Sequence, residues 1–280
     1  MPTLRFTKMH GLGNDYVYVD ACAQSVRDPA ALARRVSPRH TGVGADGLIL
    51  ICPSSVADCR MEMYNADGSR GLMCGNGIRC VGKYAYEHGL ARRNPLRVET
   101  DAGIKELQLH LRGERVAGAT VDMGEPITEG PRIPVAAAGR VIDAALEVGG
   151  QSYRITCVSM GNPHCVVWVD DADGLALETI GPRFEHHPFF PQRVNTEFVT
   201  ALSPRELRLR VWERGSGETQ ACGTGACAAV VAGVLNGKNE RRATVHLRGG
   251  DLEIEWREAN GRVLMTGPAE EVFSGELEVA

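Results

Sequence analysis

The sequence lacks an excess of positive charge and a long apolar run, and each absence excludes a class of protein. Its 280 residues carry a net charge of −4 and a pI of about 6.1, whereas nucleic-acid-binding domains are typically strongly basic. The longest run of small and apolar residues, 226–235, is well short of the ~18 residues that a membrane span needs. We therefore expect neither nucleic acid nor a membrane as a partner.

The cysteines show no pattern of a disulfide framework or a metal site. There are nine of them, an odd number, scattered along the chain without any C-x-x-C pair. The first ten residues contain no apolar stretch typical of a signal peptide, so we expect reduced thiols in the cytoplasm. The pairs Cys74/Cys80 and Cys222/Cys227 do not have the spacing of zinc ligands. The sequence therefore predicts no metal site.

One pattern of reactive residues occurs twice in the chain. The first copy consists of Gly13-Asn14, Asn65 and Cys74-Gly75-Asn76-Gly77, and the second of Gly161-Asn162, Glu213 and Cys222-Gly223-Thr224-Gly225. The offset is constant, since 162 − 14, 213 − 65 and 222 − 74 all equal 148. Insertions between these residues would have broken the equality, so we infer an internal duplication. Equivalent residues of two similar halves are then expected to face one another.

Each half is predicted to be rich in strands around one helix. Alternating segments such as 16–20 and 60–64 predict strands, and their counterparts in the second copy have the same pattern. The helices are predicted over Ile78–His88 and Ala226–Asn236, each followed by a glycine, which is a common helix stop. The second helix is apolar nearly all round and should be buried. We expect two α/β halves of the α+β type, each with a mixed, mostly antiparallel sheet around a central helix.

The length allows two cores of roughly 140 residues each. The proline-rich segment 126–134 is the expected connection. This places the first half at 1–125 and the second at 126–268. The tail 269–280 is expected to return to the first half as an additional strand.

The two cysteines have the surroundings of reactive thiols. Each precedes a glycine-rich turn and a predicted helix, whose first N–H groups and positive dipole end can hold an anion such as an α-carboxylate. The same field favours the thiolate of a cysteine at that position. Two thiols in facing positions can remove a proton from one face of a carbon atom and return it to the other. This is the chemistry needed to invert a stereocentre.

Polar residues at matched positions complete the candidate site. Asn14 matches Asn162, Asn65 matches Glu213, and Gly47 matches Asn195 at the same offset. Amide side chains offer donors and acceptors that suit an ammonium and a carboxylate together. Arg214 can contact a carboxylate with two hydrogen bonds, and His164 can serve as a proton partner close to the site.

These motifs resemble the diaminopimelate epimerases. The resemblance rests on the segments 8–15, 65–69, 73–77, 161–164 and 213–226 and extends from the first strand to the last. It implies two pseudo-symmetric halves with the active site in the cleft between them. It also implies the interconversion of L,L- and meso-diaminopimelate without pyridoxal phosphate, metal or any other cofactor. This reaction belongs to lysine and peptidoglycan precursor synthesis, and the family resemblance implies a homodimer.

The resemblance assigns a role to each matching residue. Cys74 and Cys222 would be the acid/base pair, supported by His164 and Glu213. The remaining positions would bind substrate: Asn14, Asn65, Gly75, Asn76, Asn162, Asn195, Glu213, Arg214, Gly223 and Thr224. At Gly47 some members of the family carry a glutamine that contacts substrate, and a glycine cannot make that contact.

Two alternative functions remain open from the sequence. A proline or hydroxyproline racemase resembles this family in fold and cysteine pair, but its substrates lack a second amino-acid head group for Asn65, Asn162, Asn195 and Arg214 to bind. A binding protein that uses the two thiols as a redox switch would not need the matched glycine-rich helix starts. The sequence alone does not assign which cysteine is the base for the L,L substrate.

Overall fold

The computed structural model describes residues 3–278, which form two compact units. Unit 1 contains residues 3–121 and 266–278, and unit 2 contains Asp122–Met265. Both units are dominated by strands, with helices packed against them, so the predicted mixed α/β fold in two halves is confirmed. None of the helices within residues 3–278 is long and apolar enough to cross a membrane.

Unit 1 begins at the first strand of the chain. Its elements up to the connection with unit 2 are β1 (Thr3–Gly11), β2 (Asn14–Asp20), α1 (Pro29–Val36), β3 (Gly47–Cys52), β4 (Cys59–Asn65), β5 (Arg70–Gly71), α2 (Gly75–Glu87), β6 (Leu96–Thr100), β7 (Gly103–Arg112) and β8 (Arg115–Gly124). Strand β2 pairs parallel with β3, and β4 pairs parallel with β6. The β1–β2, β3–β4, β4–β5, β6–β7 and β7–β8 pairs are antiparallel.

Unit 2 follows the same plan. After a 3₁₀ turn at Gly130–Arg132, its elements are β9 (Ala144–Val148), β10 (Gln151–Ser159), β11 (Pro163–Trp168), α3 (Leu177–Glu185), β12 (Asn195–Ser203), β13 (Glu206–Glu213), β14 (Gly217–Glu218), α4 (Gly223–Leu235), β15 (Arg242–Leu247), β16 (Gly250–Trp256) and β17 (Val263–Pro268). The last strand of the chain, β18 (Glu270–Glu278), pairs antiparallel with β1 of unit 1.

The duplication inferred from the sequence recurs in the strand pairings. In unit 2, β11 is parallel to β12 and β13 is parallel to β15, while β10–β11, β12–β13, β13–β14 and β15–β16 are antiparallel. The register repeats as well: Tyr16 is opposite Gly47 in unit 1, and His164 is opposite Asn195 in unit 2. Each residue of the second pair lies 148 positions after its counterpart, since 164 − 16 and 195 − 47 both equal 148.

The two long helices begin one turn earlier than the sequence predicted. They start at Gly75 and Gly223, not at Ile78 and Ala226. The glycines of each motif are therefore part of the first helical turn, because their backbone adopts helical geometry directly after the cysteine. Both helices contact several strands of their own unit. The apolar helix α4 is buried over most of its length, as predicted.

The charged residues of α2 are accommodated inside unit 1. Arg79 is completely buried. Lys83 is 7% exposed and pairs with Glu87 at 2.7 Å. Charges at such depth are tolerated when they are hydrogen-bonded. Both of these charged side chains of α2 are therefore buried together with their hydrogen-bond partners.

Candidate active site

Cys74 and Cys222 occupy the same structural position, the N-cap of a helix. Cys74 has extended backbone angles of φ −125° and ψ 122° directly before α2, and Cys222 has φ −116° and ψ 108° directly before α4. The first N–H groups of a helix lack intrahelical acceptors and lie at the positive end of its dipole. Each thiol is therefore beside a set of backbone donors that can hold an anion.

In unit 1 the thiol of Cys74 is fixed by hydrogen bonds on two sides. The backbone N–H of Gly77 donates to Sγ at 3.3 Å, and Sγ donates to Oδ1 of Asn14 at 3.2 Å. Nδ2 of Asn14 in turn donates to Oδ2 of Asp46 at 2.8 Å. The structure thus brings together the predicted pair Asn14 and Cys74. Asp46, which the sequence did not predict, sets the orientation of the Asn14 amide.

The first turn of α2 is held by the buried guanidinium of Arg79. Its Nη2 donates to Oδ1 of Asn76 at 2.9 Å, and its Nη1 donates to the carbonyl of Gly75 at 3.1 Å. Asn76 is 2% exposed. Its side-chain oxygen is therefore already engaged by Arg79, and its backbone lies in the first turn of α2. Arg79 was also missed from the sequence, since a helical arginine is usually a surface residue.

Two further positions of unit 1 have local roles. Nδ2 of Asn65 donates to the hydroxyl of Ser69 at 2.9 Å, which closes the turn after β4. At Gly47 an added Cβ would lie 2.1 Å from the carbonyl oxygen of Tyr64, much closer than any van der Waals contact. The backbone at this point therefore has no room for a side chain such as the glutamine that the family resemblance implies for some members.

In unit 2 the thiol of Cys222 lies among acidic groups. The residue is 5% exposed, and its Sγ is 3.5 Å from Oγ1 of Thr224. Burial, and after it the negative charges of Glu213 and Glu197, raise the pKa of Cys222 well above its usual value. Burial also raises the pKa of Glu213, against the opposing hydrogen bond from Thr219. Both groups therefore favour the protonated form more than in water.

His164 links a predicted substrate-binding residue to a buried acid. Its Nδ1 is 2.7 Å from Oε1 of Glu197, and its Nε2 is 3.0 Å from Oδ1 of Asn162. The side chains of His164 and Glu197 are both 0% exposed. Glu197 was not among the predicted residues. A signal was present, because it is an acid in a strand whose repeat counterpart, 197 − 148, is Ile49.

Glu197 and Ile49 occupy equivalent space beneath the two cysteine motifs. A Cβ added at Gly77 would lie 2.7 Å from Cδ1 of Ile49, and one added at Gly225 would lie 2.7 Å from Oε1 of Glu197. The same backbone cavity thus holds a methyl group in unit 1 and a carboxylate in unit 2. The backbone around the two cysteines is therefore equivalent, but the side chain beneath the first motif is apolar and the one beneath the second is acidic.

Asn195 joins two strands of unit 2 beside Arg214. Its Nδ2 donates to the carbonyl of Pro163 at 2.8 Å, and its Oδ1 accepts from the backbone N–H of Arg214 at 2.9 Å. The guanidinium of Arg214 donates to the carbonyl of Gln192 at 3.0 Å. Asn195 thereby fixes the backbone at Arg214, whose side chain is exposed.

No group of three or more histidine, cysteine or acidic side chains within residues 3–278 is arranged to hold a metal ion.

The predicted site residues are divided between the units. Unit 1 contains Asn14, Asn65, Cys74, Gly75 and Asn76, and unit 2 contains Asn162, His164, Asn195, Glu213, Arg214, Cys222, Gly223 and Thr224. Each unit combines one N-cap thiol with an oriented asparagine amide.

Comparison with known proteins identifies close relatives over the whole length. The family model described as Diaminopimelate epimerase matches residues 6–129 and 156–272. The diaminopimelate epimerase of Moorella thermoacetica is 57% identical over 276 residues, covering 98% of this chain and 99% of the relative. That of Acetivibrio thermocellus is 54% identical over 277 residues, covering 99% of each.

Among solved structures, a probable proline racemase from Agrobacterium radiobacter shares the fold. It superposes with a TM-score of 0.72 at 16% sequence identity, covering 99% of this chain and 93% of the racemase. At this identity the likeness concerns the fold alone.

Proposed function

The chain belongs to the diaminopimelate epimerase family and is thus an isomerase, and from that membership we propose that it interconverts L,L- and meso-diaminopimelate. The observation that carries the proposal is the pair of matched N-cap thiols, Cys74 and Cys222. An N-cap thiol is beside backbone donors that suit the α-carboxylate of an amino acid. The reaction would serve lysine and peptidoglycan precursor synthesis.

The proposed mechanism uses one thiolate and one thiol. The thiolate removes the α-proton and becomes a thiol, while the other thiol donates its proton to the opposite face of the carbon and becomes a thiolate. The first-turn N–H groups of α2 and α4 stabilise the charge that develops on the carboxylate side of the carbanion. Burial and the nearby acids raise the pKa of Cys222, which favours the thiol form that Cys222 needs in the direction in which it donates the proton; the two cysteines exchange roles in the opposite direction.

The proposal includes recognition of the centre that does not react. The residues assigned to its ammonium and carboxylate groups are Asn65, Asn162, Asn195 and Arg214. In support, the amide of Asn162 is oriented by His164, and the backbone at Arg214 is held by Asn195.

The proposal also includes a homodimer in the cytoplasm with diaminopimelate as its small-molecule partner. Light scattering on the purified protein tests the assembly state.

The test is proton exchange followed by NMR. The reduced protein is incubated with L,L-diaminopimelate in D₂O, with chelator and without added cofactor. We expect loss of the α-proton signal together with formation of the meso isomer. Proline and 4-hydroxyproline should show no exchange, because neither has a second amino-acid head group. Exchange of proline without exchange of diaminopimelate would contradict the proposal.

Three variants separate the two thiols from the other cysteines. Cys74→Ala and Cys222→Ala should each reduce epimerisation by about 10²–10⁴-fold, which is the contribution typical of a general acid or base. Cys22→Ala is the matched control, because Cys22 is exposed and lies outside the repeated motif. It should keep the wild-type rate. Full turnover by either of the first two variants would rule out the two-thiol mechanism.

A further inference from the structure

The guanidinium of Arg79 joins two segments of unit 1 from the inside. Its Nε donates to the carbonyl of Pro268, the last residue of β17, at 3.0 Å. Its Nη1 and Nη2 donate to the carbonyl of Gly75 and to Oδ1 of Asn76, at 3.1 and 2.9 Å. Because a guanidinium is not deprotonated in proteins, these hydrogen bonds are charge-assisted and stronger than neutral ones. The first turn of α2 is therefore fixed to the interior through two of its oxygen atoms.

The space for this guanidinium depends on a glycine. Gly11 is the last residue of β1. A Cβ added there would lie 2.8 Å from Nη2 of Arg79 and 3.2 Å from Cβ of Asn76. A side chain at this position would therefore push the guanidinium away from the oxygen of Asn76. The end of β1 and the first turn of α2 are thus shaped around Arg79.

The second copy of the repeat differs at all three of these positions. The residues 148 positions after Gly11, Asn76 and Arg79 are Ser159, Thr224 and Cys227. Ser159 is likewise the last residue of its strand, β10, and Cys227 is completely buried. The glycine thus occurs in the copy that has the arginine, and a residue with a Cβ occurs in the copy that does not. Because α4 begins at the position equivalent to the start of α2, the duplicated backbone forms this turn without an arginine.

We propose that Arg79 is a positioning residue for the anion-binding turn at the start of α2. It keeps this turn in one conformation, so that the first N–H groups of the helix are preorganised for an anion. The inference rests on the proposed function, in which that anion is the α-carboxylate of the reacting centre. It adds a buried residue that acts on this carboxylate through the helix and does not touch it. Negative charge moves onto the carboxylate as the α-proton leaves, so a preorganised turn acts more strongly on the transition state than on the bound substrate.

The first experiment tests the turn without using activity. The backbone amide signals of Gly75 and Asn76 are followed by ¹⁵N NMR while the reduced protein is titrated with sulfate as a probe anion. In the wild type both signals should shift and saturate. In Arg79→Met, whose side chain has no hydrogen-bond donor, the dissociation constant for sulfate should rise by about 10-fold or more, and Arg79→Lys should lie between the two. No response of these amides in the wild type, or equal affinity in Arg79→Met, would overturn the proposal.

Steady-state kinetics with diaminopimelate separate positioning from a purely structural role. Arg79→Met should raise KM and lower kcat, and together these changes should reduce kcat/KM by about 10- to 100-fold. Arg79→Lys should recover part of both. A residue that only supported the fold would leave KM unchanged and lower kcat in proportion to the unfolded fraction measured by circular dichroism, and that result would contradict the proposal. Arg92→Met is the matched control, because Arg92 is an exposed arginine of the same unit, and it should change neither constant.

A triple variant repeats the test with a packing that the chain already uses. Gly11→Ser, Asn76→Thr and Arg79→Cys together give unit 1 the residues with which the equivalent turn folds in unit 2. This variant should keep the circular dichroism spectrum of the wild type and lose sulfate affinity and kcat/KM to the same extent as Arg79→Met. Full kcat/KM would overturn the proposal, and so would failure to fold, since Arg79 would then be needed for the fold itself. If the wild type bound sulfate at this turn as expected but did not epimerise diaminopimelate, the proposed function would fall and the role of Arg79 would stand.

Discussion

Alanine at the two equivalent glycines, Gly77 and Gly225, should have different effects on stability. Both lie in the first turn of a helix, with backbone angles that alanine can adopt. In both cases the new Cβ would meet an atom at 2.7 Å. At Gly77 that atom is the terminal methyl group of Ile49. At Gly225 it is Oε1 of Glu197, which is held in a hydrogen bond with His164.

The expected magnitudes follow from two opposing effects. Replacing glycine with alanine within a helix stabilises it by about 1 kcal/mol, whereas overpacking costs about 1–3 kcal/mol. The methyl group of Ile49 can move by rotation, so Gly77→Ala should leave the free energy of unfolding nearly unchanged. Glu197 cannot move without lengthening a charged hydrogen bond worth about 1.5–3 kcal/mol. Gly225→Ala should therefore lower the free energy of unfolding by about 1–2 kcal/mol.

Urea unfolding followed by far-UV circular dichroism measures both variants in the same way. Tryptophan fluorescence adds a separate signal for unit 2, since Trp168, Trp212 and Trp256 all belong to it. In a Glu197→Ala background the overlap is removed, and Gly225→Ala should become stabilising by about 0.5–1 kcal/mol. The steric reasoning would be refuted if the free energy of unfolding fell equally in the two glycine variants. It would also be refuted if the effect of Gly225→Ala were the same with and without Glu197.

Two predictions concern pH. Burial first, and then the charge of Glu213, raise the pKa of Cys222, so Glu213→Gln should lower that pKa and speed iodoacetamide modification of Cys222, as measured by peptide mass spectrometry. Burial opposes ionisation of Glu185, but hydrogen bonds from Trp212 and Gly215 lower its pKa below 4.5. This stabilisation is present above pH 4.5 and lost as the pH falls through the folded-state pKa. Glu185→Gln should unfold more easily at neutral pH and show a shallower decline in acid; an unchanged acid profile would contradict this.

The repeat made the long elements of both units predictable, because two copies of each pattern reinforced one another. The shorter helices were missed for different reasons. α1 has a clear start signal, with the side chain of Asp28 accepting from the N–H of Ala31 and Pro29 in the first turn. It could have been predicted. α3 contains Gly181 and Pro182 in its interior, and both residues argue against a helix in sequence-based reasoning.

The matching residues of the candidate site were visible in the sequence, whereas those that orient them were not. Asn14 and Asn162 are separated by the constant offset of the repeat, as Cys74 is from its counterpart. This agreement distinguished these residues from ordinary turn residues. Asp46 and Glu197 have no counterpart in the other copy, so a search for agreement between the copies passes over them. Their importance follows from burial and hydrogen bonds, which depend on contacts distant in sequence.

A duplicated scaffold explains why disagreement between the copies is informative here. The backbone plan, the helix starts and the strand register recur at one offset, so a difference at a buried position is not needed to maintain the fold. The second copy has Glu197 at the position where the first copy has Ile49. A carboxylate in the interior costs free energy, whereas an apolar side chain there does not. At this position the carboxylate makes a hydrogen bond with Nδ1 of His164, whose Nε2 contacts Asn162, and a methyl group could not hold that histidine.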